Sequence, residues 1–364
     1  MDFALLGCAG VLALYGLVFI YSATHQSIPD QPFHKVKLQL VWLAIGFAAM
    51  CVTTFADYAQ FARFFWPILI GFAAVLAGLL VLGHFAHLEI RGSARWIPLG
   101  PFKLQPSEIA KIGLVLLLGT YLARLREHTA DLRVLGGSLA ILAALAGLIL
   151  LQPDLGTPVV MGGIWLAMAF AWGARLFQLA AVCLTIAVGA CAAWEVGLVT
   201  PAQQARLMSF LDPAADPLGA GYHLAQSRAA IGAGGFLGQG LFHGSQTQLR
   251  FVPDQDTDFI FTAIAEELGF VGSLVLLALF AYLLWRCLDI AREAKDDFGR
   301  LVAFGLTTLF ALHVFVNIGM TLGLLPVKGL PLPFVSYGGS NMLTNMIAIG
   351  LLQNIWMRRS KITF

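Results

Sequence analysis

Apolar residues run along this chain in blocks of about 20, the length an α-helix needs to cross a bilayer core of about 30 Å. Ten blocks meet that criterion: Phe3–Tyr21, Val36–Thr54, Phe64–Leu82, Leu104–Leu122, Leu135–Leu151, Thr157–Trp172, Leu176–Trp194, Phe259–Trp285, Leu301–Leu322 and Tyr337–Trp356. The pattern predicts an all-α integral membrane protein, a polytopic bundle of about ten transmembrane helices forming a single domain over residues 1–364. An even number of crossings puts both termini on one side. Between the seventh and eighth spans lies a long connection, about 195–257, rich in Gly and Pro yet carrying apolar stretches such as Tyr222–Phe236. An ordered loop of that length is usually functional, and part of it is expected to lie at the interface as short amphipathic helices.

Composition agrees with the pattern. The chain is 59% hydrophobic and 12% charged, with a mean hydropathy of +0.82; a soluble domain carries roughly twice that charged fraction. The net charge of +2 is too small to point to a nucleic-acid partner. The first block resembles a secretory signal, with Ser22-Ala23-Thr24 as its cleavage site, but no Lys or Arg precedes it and many spans follow, so it reads as an uncleaved first helix. Cys8, Cys51, Cys183, Cys191 and Cys287 lie in or beside apolar blocks without metal-ligand spacing and read as small buried hydrophobes. Cys183 and Cys191 fall roughly 12 Å apart on one helix, too far to bridge.

Lysine and arginine set the orientation. One group of short connections and the C-terminus carries Arg63, Arg124, Arg126, Arg133, Arg175, Arg286, Arg292, Lys295, Arg300, Arg358, Arg359 and Lys361. The other holds Lys35, Lys37, Arg91, Arg95, Lys103, Arg206, Arg228, Arg250 and Lys328, spread over longer loops. The positive-inside rule counts short loops, so both termini are expected in the cytoplasm and the long connection outside.

Ionisable groups within spans cost at least about 2.5 kcal/mol each on insertion, which makes them functional candidates. Glu108 and Lys111 stand three apart near the outer start of the fourth span, on one helix face. Their spacing fits a structural ion pair closing a bundle seam as well as it fits a functional pair. Asp154, in Gln152-Pro153-Asp154-Leu155, reads as the N-cap of the sixth helix. Asp254, Asp256 and Asp258 crowd the start of the eighth; Asp256 or Thr257 is the expected cap, with Asp258 in the first turn. Glu266 and Glu267 lie about two turns deeper, which calls for a water-filled cleft or neutral carboxyls. His313 and Asn317 share a face of the ninth span and suit polar contacts between helices. The turn-rich stretch Pro331–Asn341 is irregular backbone of a kind that survives at membrane depth only when it lines a cavity or is covered by protein. No nucleotide loop, dinucleotide fingerprint or zinc motif occurs.

Several segments together resemble the SEDS family of membrane peptidoglycan polymerases. They are Arg91-Gly-Ser-Ala-Arg95-Trp96, Pro106-Ser-Glu108-Ile-Ala-Lys111, Gln152-Pro-Asp154-Leu-Gly-Thr, Ala215-Asp-Pro-Leu-Gly-Ala-Gly-Tyr222, Thr257-Asp258-Phe-Ile-Phe, Glu266-Glu267-Leu-Gly and Pro333-Phe-Val-Ser-Tyr-Gly-Gly-Ser340. Each is weak alone, but the ordered set spans nearly the whole chain. Gly244–Leu249 and Gln203-Gln204 look like the elongation, RodA-like branch rather than the division, FtsW-like branch. Asp254, where the family usually has Glu, and the extra charge of Asp256 depart from the pattern and bear on the field around Asp258.

The resemblance implies a glycosyltransferase of the bacterial plasma membrane. Its substrate would be lipid II on the outer leaflet, with undecaprenyl pyrophosphate leaving and the anomeric centre inverted. Asp258 matches the family's essential aspartate and would be the general base. Lys111 steered by Glu108, with Arg91, Arg95, Trp96, Asp154, Arg206 and Arg250, would form the substrate site, the cations facing the pyrophosphate. Mg²⁺ or Mn²⁺ suits such a leaving group, although the sequence shows no dedicated metal cage. The implied partner is a class B penicillin-binding protein. Two rivals have different requirements: a lipid II flippase needs charge reaching both faces, and a scaffold for a partner enzyme needs no buried carboxylates. The ionisable groups gather toward the outer side, which favours the polymerase.

Overall fold

The computed structural model describes residues 1–25, 32–86, 95–99, 102–129, 131–152, 154–197, 219–326 and 329–359, with Gln204, Met208 and Phe210 as isolated positions. Thirteen α-helices occur among them: α1 (Phe3–Thr24), α2 (His34–Phe55), α3 (Tyr58–Arg63), α4 (Phe65–Ala86), α5 (Pro106–Arg124), α6 (Leu132–Leu150), α7 (Gly156–Trp172), α8 (Leu176–Glu195), α9 (Ala220–Gly234), α10 (Ser245–Gln248), α11 (Ile260–Arg292), α12 (Asp297–Thr321) and α13 (Gly339–Met357). A short antiparallel hairpin, β1 (Ile97–Leu99) and β2 (Phe102–Leu104), precedes α5.

Eight helices, α1, α2, α4, α5, α6, α8, α11 and α12, are long and apolar enough to cross a membrane. Two more complete the predicted ten. α7 is apolar but has 17 residues. α13 has 19 residues and carries Asn341, Thr344, Asn345, Gln353 and Asn354, all buried, so its polar groups face protein rather than lipid. At the seam with α2, Gly350 has no side chain to spare: a β-carbon there would lie 2.6 Å from the Met50 carbonyl oxygen.

Burial orders the bundle from centre to rim. α5 and α12 are the most enclosed spans, while α4 and α8 present nearly all their surface outward. Cys183 and Cys191 sit on the exposed face of α8 and Cys51 is half-buried, so only Cys8 and Cys287 are the buried hydrophobes expected of all five. The difference is one of surroundings, because lipid accepts a thiol as readily as a core does.

One end of the bundle is held by ion pairs. Asp2 caps α1 through the Ala4 and Leu5 amides and accepts from Arg286 at 2.5 Å, while its backbone exchanges two hydrogen bonds with the Gln353 side chain. Arg126–Asp297, Arg358–Asp57, Arg359–Glu293 and the Tyr58–Asp296 hydrogen bond join the other connections there. Burial and the Asp296 carboxylate push the Tyr58 hydroxyl upward. Asp2 and Gln353 thus join the start of α1 to the end of α13.

α11 is broken. At Gly269 the backbone turns to φ 65° and ψ −160°, a region open in practice to glycine alone. Interrupting a helix frees backbone groups that lipid cannot satisfy. The segment after α9 supplies the partners: Gln239 and Gly240 donate to the Glu266 and Glu267 carbonyls at 3.0 Å each, and the Phe270 and Val271 amides donate to Gly235 and Phe236. A β-carbon at Gly269 would fall 2.3 Å from the Gly238 nitrogen. Gly269→Ala is therefore expected to cost about 1–3 kcal/mol in backbone strain and more from the clash. It should appear as a lower melting temperature in detergent; an unchanged value would show that the break tolerates a side chain.

Candidate active site

Asp258 stands in a run of turns, 253–259, immediately before α11, and is half-buried. The expected cap, Asp256 or Thr257, is not one: the N-cap position is Phe259 and no side chain bonds there. The Asp256 carboxylate turns instead to the Lys35 ammonium at 2.7 Å, a charge-assisted bond that outcompetes a neutral amide. The Thr257 carbonyl accepts from Ser336 Oγ at 2.6 Å. The turn closes through its own backbone, with the Thr257 and Phe259 amides both donating to Asp254 O.

The stretch Gly329–Tyr337 packs against this turn. Asn317, fully buried on α12, donates from Nδ2 to the carbonyls of both Asp258 (2.8 Å) and Leu330 (2.7 Å). Tyr337 N donates to Asp256 O at 2.8 Å, and Ser336 Oγ accepts from Leu332 N. Gln39 bridges Ser336 O and Gly338 N. Phe334 is buried with φ 63°, an uncommon conformation for a bulky residue. Covered by protein in this way, the irregular backbone meets the condition set for it at membrane depth.

Glu108 and Lys111 do pair, Nζ to Oε1 at 2.8 Å, on the first turns of α5. The pair has a third member that helix spacing could not show. His313 Nε2 lies 2.8 Å from Lys111 Nζ, and His313 Nδ1 lies 3.1 Å from Pro331 O. For Nε2 to accept from an ammonium, the ring must be neutral with its proton on Nδ1, donating to Pro331. Lys111 is 0% exposed, so in this geometry its ammonium is not offered to a ligand in solvent.

The N-cap of α7 is Leu155 rather than Asp154; from one residue earlier the Asp154 carboxylate accepts from the Gly156 and Thr157 amides and from Thr157 Oγ1. Arg95 approaches it at 4.0 Å while donating from Nε to Gln152 O. Trp96, half-buried, follows at the start of the hairpin. Arg250 is exposed, just beyond α10, in a left-handed conformation with φ 59°. Arg91 and Arg206 lie outside the described residues. Glu266 receives the Gln246 and Thr247 amides and the Thr247 hydroxyl at the start of α10, so loop groups rather than a water-filled cleft satisfy it. Glu267 accepts from Ser22 Oγ and Gln248 Nε2.

Sequence reading missed Lys35, Ser336, Gln39 and Gly329 around Asp258. The acidic crowding of 254–258 was a signal for a compensating cation, and Lys35 was already counted on that side of the bilayer. Ser336 and Gln39 carried no local signal, because their partners lie 79 and 297 residues away in sequence.

A many-spanning helical bundle, with an aspartate held in the turn before a broken helix, defines a multi-pass membrane protein with a polar cluster at one end. A family model for FtsW, RodA and SpoVE, described as cell cycle protein, matches residues 3–361, and the chain belongs to that family. Over 363 residues it is 37% identical to the probable peptidoglycan glycosyltransferase FtsW of Geobacter metallireducens, covering 98% of this chain and 95% of that one. It is 38% identical to the peptidoglycan glycosyltransferase MrdB of Escherichia coli over 355 residues, covering 97% and 92%. Among solved structures it resembles a chain from a peptidoglycan synthase complex, described as coordinating polymerization and crosslinking, with TM-score 0.83, 29% identity and 98% coverage of each chain. It also resembles the rod shape determining protein RodA of Thermus thermophilus, with TM-score 0.72, 27% identity, and 99% and 98% coverage.

Proposed function

We infer that this chain is a peptidoglycan glycosyltransferase that polymerises lipid II. The relatives on both branches carry that activity in their names at 37% and 38% identity along nearly the full chain. The observation that carries the chemistry is Asp258: a carboxylate at the bundle's less basic end, with its backbone clamped and its side chain beside a residue that has none. A β-carbon on Gly329, itself exposed, would lie 2.8 Å from Asp258 Oδ2, so the Gly329 backbone lies directly against the carboxylate.

The acceptor's 4-hydroxyl attacks the donor's anomeric carbon as its proton passes to the Asp258 carboxylate. The bond to the lipid pyrophosphate breaks with its electron pair on the leaving oxygen, and the centre inverts. Base catalysis of this kind is typically worth about 10²–10⁴ in rate. Mg²⁺ or Mn²⁺, which suits a pyrophosphate leaving group, would bind together with it. Arg250 and Arg95, with Arg91 and Arg206, are the cations proposed for the leaving group.

The site faces outward across the bacterial plasma membrane, with both termini cytoplasmic. Reporter fusions near Glu127 and Lys295 should read cytoplasmic and one near Pro217 external; a cytoplasmic signal at Pro217 would place the chemistry on the wrong side. A class B penicillin-binding protein is the proposed partner, supported by the likeness to a synthase complex that couples polymerization to crosslinking. The elongation role rests on Gly244–Leu249 and on the RodA likeness, since overall identity favours neither branch. Purified protein should convert labelled lipid II to polymer.

A further inference from the structure

His313 and Asn317 stand one turn apart on the same face of α12, both buried. Together they hold three carbonyls. Asn317 Nδ2 takes those of Asp258 and Leu330, drawing the turn that carries the carboxylate onto the segment beginning at Gly329. His313 takes Pro331 O through Nδ1, and through Nε2 it meets the Lys111 ammonium, itself anchored to Glu108. Both side chains bond backbone rather than the reacting carboxyl, and Lys111 is sealed from solvent. A buried ammonium is costly unless it is paired and hydrogen-bonded; Glu108 pairs it, and its second contact is the His313 ring.

The geometry points to His313 and Asn317 as positioning residues for the reaction: they fix the backbone on both sides of the Asp258 carboxylate, and the Glu108–Lys111 pair acts through them rather than on the leaving pyrophosphate. This rests on the reading of Asp258 as general base. Gly329 completes the arrangement. The Leu330 bond to Asn317 fixes where Gly329 sits, and a side chain there would press on Asp258 Oδ2, 2.8 Å from its β-carbon. A displacement of even 1 Å at such a contact costs on the order of 10²-fold in rate.

The test is steady-state polymerisation of labelled lipid II by the full-length protein in detergent, with melting temperature measured on each variant. Asn317→Ser should lower kcat about 10–100-fold with KM within about twofold of wild type. His313→Gln keeps an acceptor for Lys111 and should retain most of the kcat that His313→Leu loses. If Asn317→Ser does not fold, Gly329→Ala takes its place: the site is exposed, and the added methyl displaces the carboxylate with the clamp intact, so kcat should again fall at unchanged KM. A folded Asn317→Ser or Gly329→Ala enzyme with wild-type kcat would overturn the proposal. So would a raised KM at unchanged kcat, which would put these residues in substrate binding. A loss that only tracks the folded fraction, equal in His313→Gln and His313→Leu, would reduce them to structural glue. If Asp258→Asn is inactive while the clamp variants are normal, the positioning claim alone fails; if Asp258→Asn is active, the general-base reading fails with it.

Discussion

Asp258→Asn should fold, insert and melt like the wild type, yet lose glycan synthesis by at least about 10²-fold, the low end of general-base catalysis. Asparagine keeps the size of aspartate but cannot take up a proton at neutral pH. The substitution also keeps the Asn317 bond, which goes to the backbone carbonyl of residue 258. Asp256→Asn is the matched control. It weakens the bond to Lys35, whose side chain is 31% exposed, and partly exposed pairs contribute at most about 1 kcal/mol. Its loss of rate should be a few-fold. Near wild-type polymer from a folded Asp258→Asn protein would end the assignment.

Glu108→Ala is expected to have the largest effect on stability. It strands the Lys111 ammonium in a fully buried site, and breaking a buried pair from one side costs about 3–5 kcal/mol. Lys111→Met should cost less, because a carboxyl left alone can bind a proton and become neutral. The double variant Glu108→Leu with Lys111→Met removes both charges and should recover most of the melting temperature. It should nonetheless stay slow, because His313 has lost the ammonium that orients it. Detergent melting and polymer yield, measured on the three variants, separate the two effects. A double variant that recovers stability and rate together would show that the pair is structural alone.

What could be read in the sequence divides along the range of the interactions. Spans set by local hydrophobicity were legible, including α13, whose buried Asn and Gln side chains lower its hydropathy without shortening its helix. The Glu108–Lys111 pair was legible too, because three residues along a helix fix its geometry, and Asp154 bonds the first amides of α7 from one residue before the N-cap it was expected to be. The break at Gly269 was not. Glu266-Glu267-Leu268-Gly269 continues an apolar helical pattern, and the groups that satisfy the interruption come from residues 235–240 in the long connection. His313 joining Lys111 across 202 residues leaves no local trace either. The cap at Asp256 was misread for the same reason: its true partner, Lys35, lies 221 residues away, and local cap chemistry could not weigh that competitor. The long connection was anticipated as partly interfacial. Its described helices dock onto the bundle, with Ser227 bonding Thr321 O and Arg228 bonding the Leu322 and Gly323 carbonyls at the end of α12, where cationic side chains are favoured.

The most direct test of the central claim uses purified wild-type protein, labelled lipid II and no nucleotide, with products resolved by length. Glycan polymer should form from this chain alone, faster when a class B penicillin-binding protein is added, and not at all from Asp258→Asn. No polymer with or without the partner, from protein that carries labelled lipid II between the leaflets of a vesicle, would contradict it and make the chain a transporter.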